Sequence, residues 1–146
     1  MKNNKSLIFI LLFTTLFGCK QENDKFPSKK EFIELLSKSL TEKDFYERSD
    51  FHQSGKDIKN LYVISNYPIK QSIEIKGRNY FINYPLDDSV KIYQKLKVEI
   101  SNISAKEILI LQKYPSDAKD YVKGEFIFKF ENNNWIFSSK RVGNVN

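Results

Sequence analysis

Cysteine, histidine, tryptophan and methionine each occur once in the 146 residues. One cysteine excludes an intramolecular disulfide scaffold, and one Cys with one His is too few for a Cys/His metal cluster. No Gly-rich phosphate loop, Ser nucleophile elbow or His-x-x-x-His pair occurs, so no cofactor or metal is expected. The longest apolar run, Leu7 to Phe17, rises about 16 Å as a helix, against roughly 30 Å of bilayer hydrocarbon, and is too short to span it. Lysines are scattered, with Lys-Lys only at 29–30 and Lys-Arg at 140–141. That is not the dense basic stripe of a nucleic-acid binder, and no nucleic-acid partner is expected.

Aromatic residues are plentiful. Twelve Phe and eight Tyr, with 40% hydrophobic residues overall, are too many for a disordered chain. The length fits one domain.

The first twenty residues carry an address. Lys2 and Lys5 form a positive n-region, and Leu7 to Phe17 has the length of a signal-peptide h-region. Gly18 and Cys19 follow, so that Leu16-Phe17-Gly18-Cys19 resembles a bacterial lipobox. Phe17 departs from the usual pattern, which prefers a small or β-branched residue there. The resemblance implies cleavage of a signal peptide over 1–18 and lipid attachment, palmitate included, at Cys19. An ordinary signal peptide, or a buried helix with an incidental cysteine, is the alternative. A doubly anchored cysteine would hold the chain stably on a membrane and leave no free thiol. Loss of Lys2 and Lys5 leaves the mature chain mildly basic.

Residues 19–27 then read as a lipid-anchored tether, because Lys20-Gln21-Glu22-Asn23-Asp24-Lys25 is polar and aperiodic. Lysine rather than aspartate after the cysteine does not resemble the inner-membrane retention signal. An outer-membrane lipoprotein, facing the periplasm or the cell surface, is therefore expected.

Residues 28–146 read as a single α+β domain. Ser28 with Glu31 is a capping-box signature, and Phe32, Ile33, Leu35, Leu36 and Leu40 repeat at helical spacing, predicting a helix over 28–40. Thr41 and Asp44 are candidate caps for a second short helix carrying Phe45 and Tyr46. Residues 49–60 read as a loop. Strands are expected over 61–67 and 72–76, with a turn at Gly77-Arg78 leading into 79–84, where Tyr80, Ile82 and Tyr84 share one face. Residues 88–101 carry both helical and strand signals and favour a short helical turn running into a strand. Residues 108–112 read as a strand and 115–119 as a loop. Phe126, Phe128 and Phe130 alternate before Asn132-Asn133-Asn134 and Trp135, a hairpin signal because Asn tolerates positive φ.

An N-terminal helix or two packed on a curved antiparallel sheet follows from this order. With the aromatic hairpin at its end it resembles the NTF2-like cone fold, on residues 28–46 and 107–142. That resemblance implies a pocket between helix and sheet. Many members are binding or accessory domains, and the enzymes place Asp, His or Tyr inside the cone.

Chemistry-bearing residues are few. His52 sits in a polar loop beside Gln53, Ser54 and Gly55, without a partner to orient it as a base. Asp87-Asp88 reads as a turn or cap rather than a catalytic pair. Asp88-Ser89-Val90 resembles an O-glycosylation tripeptide, and Asn102-Ile103-Ser104 matches the N-glycosylation sequon. Tyr62, Tyr67, Tyr80 and Tyr84 are the candidate binding residues, with Tyr93 beyond them, since tyrosine joins apolar area to a polar tip. The expected function is a non-catalytic binding or accessory module of the cell envelope, held to the membrane by its anchor and engaging an unknown protein or small molecule through the concave sheet face. The alternative is an immunity or inhibitor lipoprotein that neutralises an envelope-targeted toxin or hydrolase. A hydrolase or isomerase using Asp87, Asp88 or His52 is the third reading.

Overall fold

Ser28 stops the extended chain and starts the first helix. Its Oγ accepts from the Glu31 amide at 3.3 Å while Glu31 Oε2 accepts from the Ser28 amide at 2.7 Å, the reciprocal box read from the sequence. Those bonds to Ser28 hold the Glu31 carboxyl below its usual range. In the computed structural model, which describes residues 24–49, 52–53 and 56–146, helix α1 runs Lys29–Leu40 and α2 runs Lys43–Ser49. The expected signal peptide, Cys19 and residues 20–23 of the tether lie outside the described residues. No helix among the described residues is long and apolar enough to cross a membrane.

The cap of α2 differs from the expectation. Glu42 provides it, its Oε2 accepting from the amides of Asp44 and Phe45, while Thr41 turns its hydroxyl back to Ser37 O at 2.8 Å and closes α1. Glu42 stands at the cap position itself, directly before Lys43, and its carboxylate takes the orphan amides of the first turn that a serine, threonine or aspartate more often fills there.

Nine strands follow among the described residues: β1 His52–Gln53, β2 Lys56–Asp57, β3 Asn60–Ser65, β4 Gln71–Ile75, β5 Arg78–Ile82, β6 Lys95–Ser104, β7 Glu107–Tyr114, β8 Tyr121–Glu131 and β9 Asn134–Val145. β1 and β2 pair as a small hairpin inside the span read as a loop. The other seven form one curved, open sheet in the order β4-β5-β3-β6-β7-β8-β9. The α+β class is as expected, but the sheet is mixed rather than antiparallel throughout. β3 lies between β5 and β6 and runs parallel to both, and the remaining pairs are antiparallel. Parallel pairing joins strands distant along the chain, so alternation alone does not reveal it.

Two hairpins owe their turns to residues that tolerate positive φ. Lys76 (φ 49°) and Gly77 (φ 72°) turn β4 into β5, one residue before the expected Gly77-Arg78 turn, and Arg78 opens β5. Asn132 (φ 49°) and Asn133 (φ 63°) turn β8 into β9, and Asn134 already pairs with Glu131. Two consecutive left-handed residues match the twist of the flanking strands. Residues 92–94 form a 3₁₀ turn that runs into β6, the helical-turn-then-strand reading of that stretch.

The helices cover one sheet face. Ile108, Ile110, Gln112 and Tyr114 of β7 alternate inward, as do Phe126 and Phe128 of β8. They meet Phe32, Leu35, Leu36 and Leu40 of α1 and Phe45 of α2 in one core. Each such aliphatic or aromatic side chain contributes roughly 1.5–3 kcal/mol by leaving water. Gly124 is where α2 docks. A Cβ there would lie 2.7 Å from Phe45 Cδ2 and 2.6 Å from Phe126 Cε2, and those two rings pack edge to face.

A candidate binding surface on the open sheet face

The four tyrosines singled out from the sequence separate onto two faces. Tyr80 is 1% exposed on the helix-covered face, and burial pushes its hydroxyl up to about 12. Tyr67 is buried as well: its ring stacks on Phe32 at 4.1 Å and its hydroxyl donates to Pro27 O at 2.7 Å. Desolvation raises its pKa too. Both are core residues, closed to a ligand. The space between helices and sheet is filled by Tyr80, Tyr114, Phe126, Phe128 and their neighbours.

Tyr84 does not share the face of Tyr80 and Ile82. β5 ends at Ile82, and Asn83 takes φ 53°. Its side chain staples this turn to the loop after β3, Nδ2 donating to Tyr67 O and Ile69 O at 2.9 Å each and Oδ1 accepting from the Ser65 amide at 2.8 Å. The left-handed residue breaks the two-residue alternation, and Tyr84 packs edge-on against Phe81 instead, with 5.5 Å between centroids.

Phe81 lies on the opposite, uncovered face, one strand in from the β4 edge. It pairs in register with Tyr62 on β3, and the two rings lie 5.3 Å apart. Tyr62, Phe81 and Tyr84 thus form a half-buried aromatic ridge, sheltered by one another, with Ile64 exposed beside Tyr62 on the same strand. Lys70 Nζ lies 5.2 Å over the Tyr84 ring. Lys95 is Tyr62's partner on β6, and it also binds Asp117 at 3.1 Å. That bond to Lys95 is the leading reason the Asp117 carboxyl sits below its usual range.

Farther across the open face the character changes from aromatic to charged. Lys97, Lys113 and Lys123 stand opposite one another on β6, β7 and β8. Like charges in register repel. Each is relieved locally: Lys97 by Glu99 at 2.8 Å, Lys123 by Glu125 at 2.7 Å, and Lys113 over the Tyr121 ring at 4.2 Å. Leu109, Leu111 and Ile127 fill the next rows and are half-buried.

The remaining polar clusters are structural. Arg78, 4% exposed, donates from Nε to Ile58 O at 3.0 Å and from its other nitrogens to Tyr46 and Asp57, tying β5 to α2 and β2. Lys140 on β9 bonds Glu42 and Asp44, fastening the edge strand to the start of α2. Asp87 Oδ1 accepts from the Ser89 amide and hydroxyl, which lowers its pKa and commits it to its own turn. Asp88 is exposed. His52 pairs through its backbone in β1, and its side chain lies outside the described residues. Tyr93 is exposed, its carbonyl accepting from Tyr114. Ser89 of the tripeptide and Asn102 of the sequon are exposed.

A cleft of about 460 Å³ lies between α1 and β4, lined by Lys29, Lys30, Ile33, Glu34 and Gln71. Smaller hollows of 170 and 200 Å³ lie at Trp135 and at Tyr121. Only the first falls within the 300–1,000 Å³ usual for small-molecule sites.

Phe81 was not among the residues singled out from the sequence, although it is the keystone of the ridge. Tyr80 and Phe81 are adjacent, so one must face each way. Nothing local says which, since both are large aromatics. Comparison with protein-family models, with curated proteins and with solved structures finds no match to this chain.

Proposed function

We propose that this protein is an outer-membrane lipoprotein, anchored through Cys19, that works as a non-catalytic binding module and engages its partner through the aromatic ridge of the open sheet face. The observation that carries the reading is the Tyr62–Phe81–Tyr84 cluster. Three aromatic side chains are gathered on a face that no helix covers, flanked by Lys70 and an exposed Ile64. Aromatic residues grouped on an open surface are what protein and ligand contacts use most heavily. The lysines at the border favour a partner that brings apolar groups edged with carboxylates or other anions. Support for the anchor is the order of n-region, apolar run, Gly18 and Cys19 in the sequence.

The test is native mass spectrometry of the chain from Lys20 onward, incubated with an envelope extract, for the natural sequence and for Phe81→Ser with Tyr84→Ser. A discrete adduct, either a small molecule or a stoichiometric protein, should form with the natural sequence and be lost in the double variant. Circular dichroism checks that the variant is folded, which its half-exposed positions favour. Equal capture by a folded variant removes the ridge from the reading. Tyr80→Ala is unsuitable, since it empties the core instead of altering the surface.

A further inference from the structure

We infer that the end of the domain bearing the β6–β7 and β8–β9 turns rests on the phospholipid surface, with Ile103 as its interfacial anchor. This rests on the lipid-anchor reading of Cys19. Four observations converge on that end.

First, the chain enters the domain there and is held. Lys25 N–H donates to Ala105 O in the β6–β7 turn at 2.9 Å, and Lys25 Nζ lies 4.7 Å over the Phe130 ring near the close of β8. Phe26 stacks on Tyr67 at 5.8 Å, and Pro27 O accepts the Tyr67 hydroxyl. Second, the chain before Lys25 is short. Cys19 lies six positions before Lys25, a span of at most about 22 Å even when fully extended. A lipidated Cys19 thus keeps this end, and no other, beside the bilayer.

Third, apolar side chains are exposed where the chain enters. Ile103 is 50% exposed at the far end of β6, Phe26 43%, and Ile136 and Phe137 45% each at the start of β9. In register, Ile136 faces Lys129 and Lys129 faces Glu107, placing them at the same end. Lys106 and Lys29 are also exposed there, suiting anionic headgroups. Fourth, this end is braced from within. Asn66 Nδ2 donates to Ile100 O at 2.9 Å and its Oδ1 accepts from the Ile100 amide at 2.8 Å, so the loop after β3 is stitched to β6 as a strand would be. A braced apolar tip on a short leash lies at the depth of interfacial side chains, roughly 5–10 Å into the headgroup boundary.

The test uses the full acylated chain in vesicles of phosphatidylethanolamine and phosphatidylglycerol carrying brominated acyl chains. Ile103→Trp on a Trp135→Phe background supplies one indole at the turn. Lys119→Trp on the same background supplies one at the opposite end, where Ser116 N–H meets Lys95 O. Strong quenching of the first with little of the second is expected. Equal quenching, or none at Ile103→Trp in a chain whose mass confirms acylation, overturns the orientation and leaves the anchor standing. A membrane-extracted chain without added lipid mass overturns the anchor and this inference together. Should Trp135→Phe not fold, hydrogen exchange of the natural acylated chain gives the same answer. Amides 102–106 should be slowed by lipid alone, and slowing that needs added envelope protein overturns the proposal.

Discussion

Gln112 Nε2 donates to Ser39 Oγ at 2.6 Å, joining the middle of the sheet to the inner face of α1 at a point where neither residue is exposed to solvent. Ser39 in turn donates to Leu36 O at 3.0 Å, while Gln112 Oε1 has no partner among the described residues. The bond crosses an otherwise apolar layer and sets the height of the helix on the sheet.

The asymmetry of this pair predicts opposite outcomes for its two members. Ser39→Ala leaves the whole Gln112 amide unpaired in the core and should cost about 1–3 kcal/mol. Gln112→Leu removes an amide whose carbonyl is already unsatisfied, and Ser39 keeps its bond to Leu36. It should be near neutral. Urea unfolding of the two single variants and the double variant measures both, with the double close to Gln112→Leu alone.

Gly124 is predicted to be intolerant of any side chain. Both rings that a methyl would strike, Phe45 and Phe126, are fully buried, so neither has room to retreat. Gly124→Ala should destabilise by about 1–3 kcal/mol through overpacking. Phe45→Leu on that background should recover part of the loss, which a thermal melt of the three proteins would show.

Tyr80 predicts an alkaline limit on stability. Its neutral form is favoured in the fold, with the pKa raised to about 12 by burial. An acid whose folded pKa is raised contributes stability that is present below its unfolded value, near 10, and lost as pH climbs towards the folded one. The urea midpoint should therefore fall more steeply above about pH 10 in the natural chain than in Tyr80→Phe, which keeps the ring without the ionisable group. Parallel curves for the two proteins would show that Tyr80 does not govern this limit.

The β8–β9 turn predicts its own sequence tolerance. Asn132 and Asn133 both hold positive φ, which costs ordinary L-residues roughly 1–2 kcal/mol each. Replacing both with alanine should destabilise by about that amount per position. Asn133→Gly should be neutral or stabilising, since Asn-Gly is the preferred pair for this turn. Equilibrium unfolding of each variant checks the ranking.

Much of this architecture was legible one residue at a time. The Ser28–Glu31 box, the apolar stripe of α1 and the asparagine turn depend on neighbours three or four positions away. A local signal states such features fully, and the structure places them where the sequence does. The alternation of Phe126 and Phe128 likewise marked an inward-facing strand. Parity alone did not say which side of a strand would be covered. Tyr80 and Phe81 are of similar size and apolarity, and their opposite fates follow from β5 lying beside β3 under the helices.

The tyrosines illustrate the limit. Tyr67 became a core residue because its hydroxyl found Pro27 O, forty positions earlier, and Tyr84 left the face of Tyr80 because Asn83 turned left-handed to satisfy three backbone groups. Both outcomes depend on long-range partners that no window of sequence contains. By itself the sequence determined the start of α1, the asparagine turn and the apolar periods, because those energies are local. Only the tertiary structure decided the parallel pairing of β3, the covered face and the open aromatic ridge, because strand order and burial are set by contacts between segments far apart in the chain.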